Sequence, residues 1–195
     1  MSAVCRLGVV ILAAGSSSRF GGNKLLAHFR GRPVIEHALE LASACGAARM
    51  AVVAADPDLI TLVRSRGIEV IVNDAPSLGQ AHSIVLGVSA MEDMEAVLLM
   101  AADQPLLTRE SMMQLISRYA LSEKGLACLS DATHFGNPAV FSRAYFGALK
   151  QLKGDRGAKL LLKQHGHDLL IVRCAGDMEL FDVDTKEALK ALESR

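Results

Sequence analysis

The segment Val9–Lys24, VVILAAGSSSRFGGNK, decides the fold and indicates where a ligand binds. It opens with a run of apolar residues, which is typical of a strand buried on both faces. At Gly15 it changes into a loop rich in glycine and serine. Gly15, Gly21 and Gly22 can adopt positive φ and let the backbone approach a ligand closely. Successive backbone N–H groups can then form an anion-binding nest, at the sheet edge where α/β proteins bind ligands.

Five side chains of this loop supply hydrogen-bond donors for an anion. Ser16, Ser17 and Ser18 carry hydroxyl groups, Arg19 carries a planar guanidinium group and Lys24 carries an ammonium group. The loop matches neither GxxxxGK[ST] nor GxGxxG, so it is not a P-loop or a dinucleotide fingerprint. We predict a phosphate-binding loop of another type. A solvated strand–helix connection with ordinary turn residues is the alternative interpretation.

Apolar runs alternate with stretches of helical periodicity along the rest of the chain. Further strands are predicted at 49–55, 68–72, 96–103, 126–130 and 169–173. Helices are predicted at 33–44, from 57 after the cap Asp56, at 81–90, after the cap Thr108, around 142–149 and 155–165, and from 185. A loop is expected through Asn137–Pro138. This order predicts a three-layer α/β/α, Rossmann-like fold with a mostly parallel sheet. No linker or repeat divides residues 1–195, so a single domain is expected.

Composition and charge exclude several classes of protein. The 21 basic and 21 acidic residues balance, which argues against a general nucleic-acid or membrane surface. No apolar stretch is long enough to span a bilayer and no signal-peptide pattern is present, so we expect a cytoplasmic protein. The four cysteines contain no CxxC pair, which indicates neither a zinc site nor a disulfide framework. Residues 1–35 hold five Lys and Arg residues and no acid, so this segment is predicted to attract anions.

An acidic cluster is expected opposite the cationic loop. Asp103 follows a buried strand in AADQP and is placed to hold Mg²⁺ beside a triphosphate, although a role as a turn former is the alternative. A second carboxylate is available from Asp182 or Asp184 in FDVDTKEAL. Asp184 and Glu187 also have the spacing of a helix-capping pair, so capping and metal binding both stay open for Asp184.

Several motifs resemble those of one enzyme family. LAAGSSSRFGGNKLL is similar to the signature LAAGxSxRFGxxKLL of the molybdenum-cofactor nucleotidyltransferases, whose fold is nucleotide-diphospho-sugar transferase-like. SLGQAHSIVLGV resembles the family's segment beside the nucleotide base, and MAADQP resembles its metal-binding turn. GNPAVF and GDRGAKLLL resemble segments on the acceptor side, and DVDTKEAL resembles DxDTPEDL. The resemblance covers nearly the whole chain.

The resemblance implies transfer of a nucleoside monophosphate from an NTP to molybdenum-bearing molybdopterin, with release of pyrophosphate. Guanylyl-transferring relatives usually read LAGG, with Asp before the lysine. This chain has Ala14 in that motif and Asn23 before Lys24, which favours CTP as the donor. Guanylyl transfer, transfer to a sugar or polyol phosphate, and a non-catalytic cofactor-delivery protein are the alternatives. Transient contact with molybdoenzyme maturation proteins is also implied.

Roles for individual residues follow from the same resemblance. The nucleotide is expected to contact Leu12, Ala13, Ala14, Gly15, Ser16, Ser17, Ser18, Arg19, Phe20, Lys24, Gly79, Gln80 and Ser83. Arg19, Lys24 and Asp103 are the expected catalytic residues, and Asp103 with Asp184 is expected to hold Mg²⁺. Asn137, Pro138, Asp155 and Arg156 are expected to contact the acceptor.

Some residues depart from the family pattern or carry a second interpretation. Asn137 stands where the family usually has His, and Lys186 stands where it usually has Pro. In GDRGAK, solvated charges at a helix start are the alternative to acceptor contact. Among the histidines, His82 and His134 lie in segments that the resemblance places near substrates.

Overall fold

β1 (Leu7–Ala13) is an interior strand of a seven-stranded sheet in the computed structural model, which describes residues 6–15, 17, 19–132 and 134–193. The other strands are β2 (His28–Phe29), β3 (Arg32–Pro33), β4 (Arg49–Ala54), β5 (Glu69–Val72), β6 (Ala96–Ala101), β7 (Leu126–Ser130), β8 (Phe135–Ser142) and β9 (Leu169–Arg173). The helices are α1 (Val34–Ser43), α2 (Pro57–Ser65), α3 (Gln80–Ala90), α4 (Arg109–Ala120), α5 (Phe146–Lys150), α6 (Lys159–Gln164) and α7 (Lys186–Glu193). No helix in these described ranges is long and apolar enough to cross a membrane.

The sheet confirms the predicted architecture. Its strand order is β5-β4-β1-β6-β8-β7-β9, and β2 and β3 form a separate small hairpin. β1 pairs in parallel with β4 and β6, and β7 pairs in parallel with β9. β8 runs antiparallel to both of its neighbours. The carboxyl ends of β1 and β6 therefore meet the amino end of β8 at one edge of the sheet.

Alternating side chains of the strands enter two separate cores, one on each face of the sheet. Val9 and Ile11 of β1 pack on the face covered by α1, α2, α4 and α7, whereas Val10 packs on the face covered by α3, α5 and α6. All three residues are fully buried. The interior strands β1 and β6 are apolar on both faces, which suits a sheet covered by helices on each side.

The starts of the helices test the capping predictions. Asp56 accepts a hydrogen bond from the Leu59 N–H, and Thr108 accepts one from the Ser111 N–H, so both predicted caps are confirmed. The capping interpretation of Asp184 is wrong. The Ala188 N–H donates to Thr185 Oγ1 instead, which frees the Asp184 carboxylate for contacts outside the helix.

The predicted loop through Asn137–Pro138 is also wrong, because these residues lie inside β8. Proline cannot donate to a sheet ladder, which is why the pair reads as a loop. The Asn137–Pro138 peptide is cis. Pairing of β8 with β6 begins at Ala139, and the Asn137 side chain accepts a hydrogen bond from the Ala101 N–H at 3.2 Å. The asparagine side chain thus extends the contact between the two strands beyond their backbone ladder.

Candidate functional site

A cavity of about 550 Å³ opens at the edge of the sheet where β1, β6 and β8 meet. The side that the sequence analysis predicts to bind the nucleotide is lined by the end of β1 and the loop after it, together with Gly79, Gln80 and Ser83. Phe135, Gly136, Asn137, Asp155 and Lys159 line the other side. Asp103, Asp182 and Asp184 also line the cavity. Such a volume is in the range of small-molecule sites.

Lys24 joins two of the predicted acidic residues. Its Nζ lies 2.5 Å from Asp103 Oδ2 and 3.0 Å from Asp184 Oδ1. The side chains of Lys24 and Asp103 are only 12% and 19% exposed, so water screens this pair weakly. Arg19 lies 2.8 Å from the other oxygen of Asp184, but its side chain is 74% exposed. Four of the predicted side chains therefore form one ion-pair network, although they come from distant parts of the sequence.

The environment of the network shifts the pKa values of Lys24, Asp184 and the neighbouring Asp182 in different directions. Burial alone lowers the pKa of Lys24, but the charge of Asp103 and the hydrogen bonds to Asp103 and Asp184 raise it above its ordinary value. Burial alone raises the pKa of Asp184, but the hydrogen bond and charge of Lys24, assisted by Arg19, lower it. Burial and the charge of Asp103 raise the pKa of Asp182. Lys24 is therefore held as an ammonium between the side chains of Asp103 and Asp184.

The basic N-terminal segment is less cationic than its sequence suggests. Arg6 pairs with Asp93, Arg32 pairs with Glu40, and Arg19 and Lys24 pair with Asp184. These acids come from later in the chain, so they do not appear in a count over residues 1–35. Arg19 and Lys24 therefore line the cavity as cations that are already paired with carboxylates.

A chain of amide hydrogen bonds connects β8 with the acidic side of the cavity. Gln104 Nε2 donates to Asp182 Oδ1 at 2.9 Å and to the Leu180 carbonyl at 3.2 Å. Asn137 Nδ2 lies 3.4 Å from Gln104 Oε1 and donates to it. Gln104 is buried, so its amide is fixed by these contacts. Asp182 is thereby held by a neutral donor, whereas Asp103 and Asp184 are held by Lys24.

The turn at Gly79 connects the two sides of the cavity. Gly79 has φ +86° and ψ −178°, and the Ala81 N–H donates to the Gly154 carbonyl at 3.0 Å. A Cβ on Gly79 would lie 2.5 Å from the carbonyl carbon and oxygen of Gly154 and 2.6 Å from Asp155 Oδ1. This close approach needs glycine both for space and for its backbone conformation. It joins the nucleotide-side segment predicted at residues 79–83 to the acceptor-side segment predicted at residues 154–159.

Among the cations that line the cavity, Lys159 has a different environment from Arg19 and Lys24. Lys159 Nζ lies over the ring of Phe135, 4.5 Å from its centroid. No ion pair with a carboxylate involves Lys159 among the described residues, in contrast to Arg19 and Lys24. Lys159 is therefore available to an anionic group, and a cation over an aromatic ring keeps its position at modest cost.

The structure brings most of the predicted site residues together. Of the predicted nucleotide contacts, the cavity is lined by Leu12, Ala13, Ala14, Gly15, Ser17, Arg19, Lys24, Gly79, Gln80 and Ser83. Ser16 and Ser18 lie outside the described residues. Gly21 and Gly22 have the expected positive φ, but Gly15 does not. The loop therefore turns at the later glycines.

Three predicted residues do not line the cavity. The Phe20 ring is buried in the core, near the Lys186 ammonium, and Pro138 and Arg156 are likewise absent from the lining. Asn137 and Asp155 do line it. Of the two histidines in the substrate-side segments, His134 lines the cavity and His82 does not.

The sequence analysis missed the roles of Gln104, Phe135 and the hydrogen-bonded pair Asn73–Ser83. Asn73 Nδ2 donates to Ser83 Oγ at 3.0 Å, and both side chains are buried, so the loop after β5 is fixed to α3. Gln104 directly follows Asp103, and a polar residue at a strand's end is a signal that was available. Asn73 directly follows β5 and carries the same signal, whereas Phe135 carries none, because its role depends on a contact across the fold.

The acidic residues fit a divalent cation that is shared with a substrate. Within the described residues, no group of three or more His, Cys, Asp and Glu side chains is arranged to hold a metal ion alone. Mg²⁺ in nucleotide-dependent enzymes is instead held by one or two carboxylates together with substrate phosphates. Asp103 and Asp184 each direct a carboxylate oxygen at the Lys24 ammonium. Two carboxylates are the protein ligands that such a shared Mg²⁺ site needs.

Known proteins resemble this chain over most of its length. Residues 9–169 match the family described as "MobA-like NTP transferase domain". The chain is 33% identical over 191 residues to the purine catabolism protein PucB of Bacillus subtilis, covering 91% of each chain. It is 28% identical over 151 residues to a probable molybdenum cofactor guanylyltransferase of Pyrococcus horikoshii, covering 77% of this chain and 75% of the relative.

A solved structure supports the fold. A nucleotidyl transferase from Methanothermobacter thermautotroptrophicus superposes with a TM-score of 0.84 at 19% identity, over 98% of this chain and 97% of that one. At this identity the likeness shows a common architecture. The matched family region includes Lys24 and Asp103, whereas Asp182 and Asp184 lie beyond its last residue.

Proposed function

Because the chain belongs to the MobA-like NTP transferase domain family, we propose that it transfers a nucleoside monophosphate, preferably CMP from CTP, to the terminal phosphate of molybdenum-bearing molybdopterin. Pyrophosphate leaves in this reaction. The observation that carries the proposal is the convergence of Lys24, Arg19, Asp103 and Asp184 at one wall of the cavity. Cations and carboxylates together suit a triphosphate with its metal ion. The relative named as a probable molybdenum cofactor guanylyltransferase supports molybdopterin as the acceptor.

In the proposed reaction, an oxygen of the acceptor phosphate attacks the α-phosphorus of CTP in line with the leaving pyrophosphate. The bond from the α-phosphorus to the bridging oxygen breaks, and the electron pair stays on the pyrophosphate. No covalent enzyme intermediate is needed, so positioning and charge stabilisation supply the catalysis. Lys24 and Arg19 neutralise charge on the β- and γ-phosphates, and backbone N–H groups of the loop after β1 orient them.

Asp103 and Asp184 would hold the Mg²⁺. When bound, such an ion neutralises phosphate charge and polarises the reacting phosphoryl group. Asp182 stands beside them, and the hydrogen bond from Gln104 fixes its orientation. Of Asp182 and Asp184, we assign Asp184 as the second Mg²⁺ ligand, since both of its carboxylate oxygens already contact cationic groups.

The acceptor enters from the side of β8 in this proposal. Lys159 attracts the acceptor phosphate, and the apolar ring of Phe135 lies beside it. Asn137 and Asp155 line the same side and supply hydrogen-bonding groups. Of the two cations in GDRGAK, we assign acceptor contact to Lys159, since Lys159 lines the cavity and Arg156 does not.

The preference for CTP depends on fewer observations than the transfer chemistry. Ala13, Ala14 and Gly15 line the cavity, and Ala14 is the position at which this chain departs from the LAGG motif of guanylyl-transferring relatives. Asn23 does not line it, because Asn23 Oδ1 accepts the Leu25 N–H at 3.0 Å in a local turn. The argument for CTP therefore rests on the strand end and not on Asn23.

A panel of CTP, GTP, ATP and UTP against molybdenum-bearing molybdopterin, read by pyrophosphate release, tests the proposal. We expect release with CTP in the presence of Mg²⁺. Asp103→Asn should lower kcat by about a hundredfold or more, because it removes charge that stabilises the transition state. Release only with a sugar or polyol phosphate, or nucleotide binding without turnover, would refute the proposal.

A matched variant controls for the loss of an ion-paired aspartate. Asp93 pairs with Arg6 at 3.2 Å on the surface, and its side chain is 56% exposed. Asp93→Asn should leave kcat unchanged and should unfold at the same temperature as the wild type. If Asp103→Asn retains near-normal Mg²⁺-dependent turnover, its assignment as a catalytic and metal-binding residue is wrong.

A further inference from the structure

We propose that Lys24 is an internal competitor of the divalent cation, so that Asp103 and Asp184 accept the metal together with a triphosphate and not before it. This inference rests on the proposed function, because it concerns the metal and the triphosphate of the same site. It adds an order to their binding, which the catalytic role of Lys24 alone does not require.

Distances within the network carry the first step. The Lys24 ammonium contacts Asp103 Oδ2 at 2.5 Å and Asp184 Oδ1 at 3.0 Å. A Mg²⁺ ion needs carboxylate oxygens at about 2.0–2.1 Å. The ammonium already lies between the two carboxylates, and a divalent cation placed there would also meet the repulsion of its positive charge. The lysine and the metal therefore exclude each other from this position.

Asp184 is occupied on both sides. Lys24 contacts its Oδ1 and Arg19 contacts its Oδ2, at 3.0 Å and 2.8 Å. A metal ion that binds Asp184 must therefore displace a cation that is already in place. Lys24 is the harder of the two to displace, because its side chain is 12% exposed whereas that of Arg19 is 74% exposed.

The balance of charge gives the second step. Asp103, Asp182 and Asp184 contribute three negative charges when ionised, and Lys24 and Arg19 contribute two positive charges. The network thus attracts a divalent cation only weakly while Lys24 and Arg19 stay paired with its carboxylates. A triphosphate offers new anionic partners to Lys24 and Arg19, and the released carboxylates can then bind the metal. Each ligand therefore raises the affinity for the other.

Titration of the nucleotide-free protein with Mn²⁺ alone, followed by the EPR signal of free Mn²⁺, tests this order. Lys24→Met should bind Mn²⁺ about tenfold or more tightly than the wild type, because removal of the ammonium frees Asp103 Oδ2 and Asp184 Oδ1. Lys24→Arg keeps the charge and should stay within about twofold of the wild type. Lys24→Gln replaces the methionine variant if that variant does not fold.

Two further variants make the titration specific. Lys150 Nζ lies 2.5 Å from Glu92 Oε1 in an ion pair outside the cavity, so Lys150→Met removes a comparable pair and should not tighten Mn²⁺ binding. Adding Asp103→Asn to Lys24→Met should abolish the gain, which locates the bound ion at this site.

The proposal is overturned if Lys24→Met and Lys24→Gln bind Mn²⁺ no more tightly than the wild type, or if Lys24→Arg gains as much as they do. The outcome is separate from that of the proposed function. A gain in Mn²⁺ affinity without any pyrophosphate release in the nucleotide panel would leave the competition intact and refute the transferase activity. Normal pyrophosphate release without a gain in Mn²⁺ affinity would support the transferase activity and refute the competition.

Discussion

Replacing Gly79 with alanine tests the junction between the two sides of the cavity. With φ +86° and ψ −178°, Gly79 occupies a backbone region that essentially only glycine adopts. A Cβ there would also lie 2.5 Å from the carbonyl carbon and oxygen of Gly154. Neither atom is the end of a flexible side chain, so relief requires movement of the backbone.

The magnitude follows from three effects. Backbone strain costs about 1–3 kcal/mol and overpacking about 1–3 kcal/mol, whereas the stiffer unfolded chain returns about 0.4–1 kcal/mol. A net loss of about 3 kcal/mol is therefore expected at the centre of these ranges. For a chain of this size that loss lowers Tm by about 6–12 °C. If the Gly154 loop moves to relieve the clash, the hydrogen bond from the Ala81 N–H to the Gly154 carbonyl breaks. In that case the loss of stability is smaller, and the KM values for nucleotide and acceptor rise.

Thermal unfolding followed by circular dichroism, together with KM values from pyrophosphate release, measures both responses. Gly147→Ala is the control, because Gly147 lies in α5 without positive φ, and a Cβ added there would meet nothing within 4 Å. That variant should match or slightly exceed the wild type in Tm. A Gly79→Ala protein with a Tm within about 1 °C of the wild type and unchanged KM values would refute the described geometry of the turn.

Three further predictions concern stability and reactivity. Gly87→Ala should lower the urea midpoint of unfolding, because the added Cβ would lie 2.4 Å from a methyl group of Val10. Overpacking costs about 1–3 kcal/mol, which exceeds the gain in helix propensity of about 1 kcal/mol. An unchanged midpoint would contradict this prediction. Burial raises the pKa of the described thiols to about 11, namely those of Cys45, Cys128 and Cys174. In a Cys5→Ser background the folded protein should therefore stay unreactive to a thiol reagent at pH 8 until urea is added. The Gly125 N–H and the Tyr145 hydroxyl lower the pKa of Asp168, so its contribution to stability is present above the unfolded-state pKa and is lost as pH falls through the folded-state pKa. Tyr145→Phe should cost about 0.5–1.5 kcal/mol at pH 7, and this difference from the wild type should shrink in acid; a constant difference would contradict it.

Local patterns predicted the fold well. The apolar β1 and the caps Asp56 and Thr108 were visible in the sequence because each depends on neighbours within a few residues. β8 was not visible, because Pro138 breaks the strand pattern and the compensating contact of Asn137 is with β6. The hairpin of β2 and β3 was missed because two-residue strands carry no periodicity.

The site was predictable in part for the same reason. Lys24 and Asp103 lie in recognisable motifs at the ends of strands, and the structure places their side chains in contact. The contact between Lys24 and Asp184 joins residues separated by 160 positions, and no sequence rule indicates which carboxylate a lysine will meet. The neutralisation of the basic N-terminal segment depends on such distant pairs as well.

The direction of β8 divides the cavity between different parts of the chain. The residues that face the triphosphate in our proposal follow β1, whereas Phe135 begins β8 and Lys159 begins α6. Substitutions around Phe135 and Lys159 can therefore change which acceptor binds while the residues that bind the nucleotide stay the same. A duplicated copy of such a chain can diverge toward a new acceptor by a few changes at one wall, and its ancestral donor chemistry survives the transition.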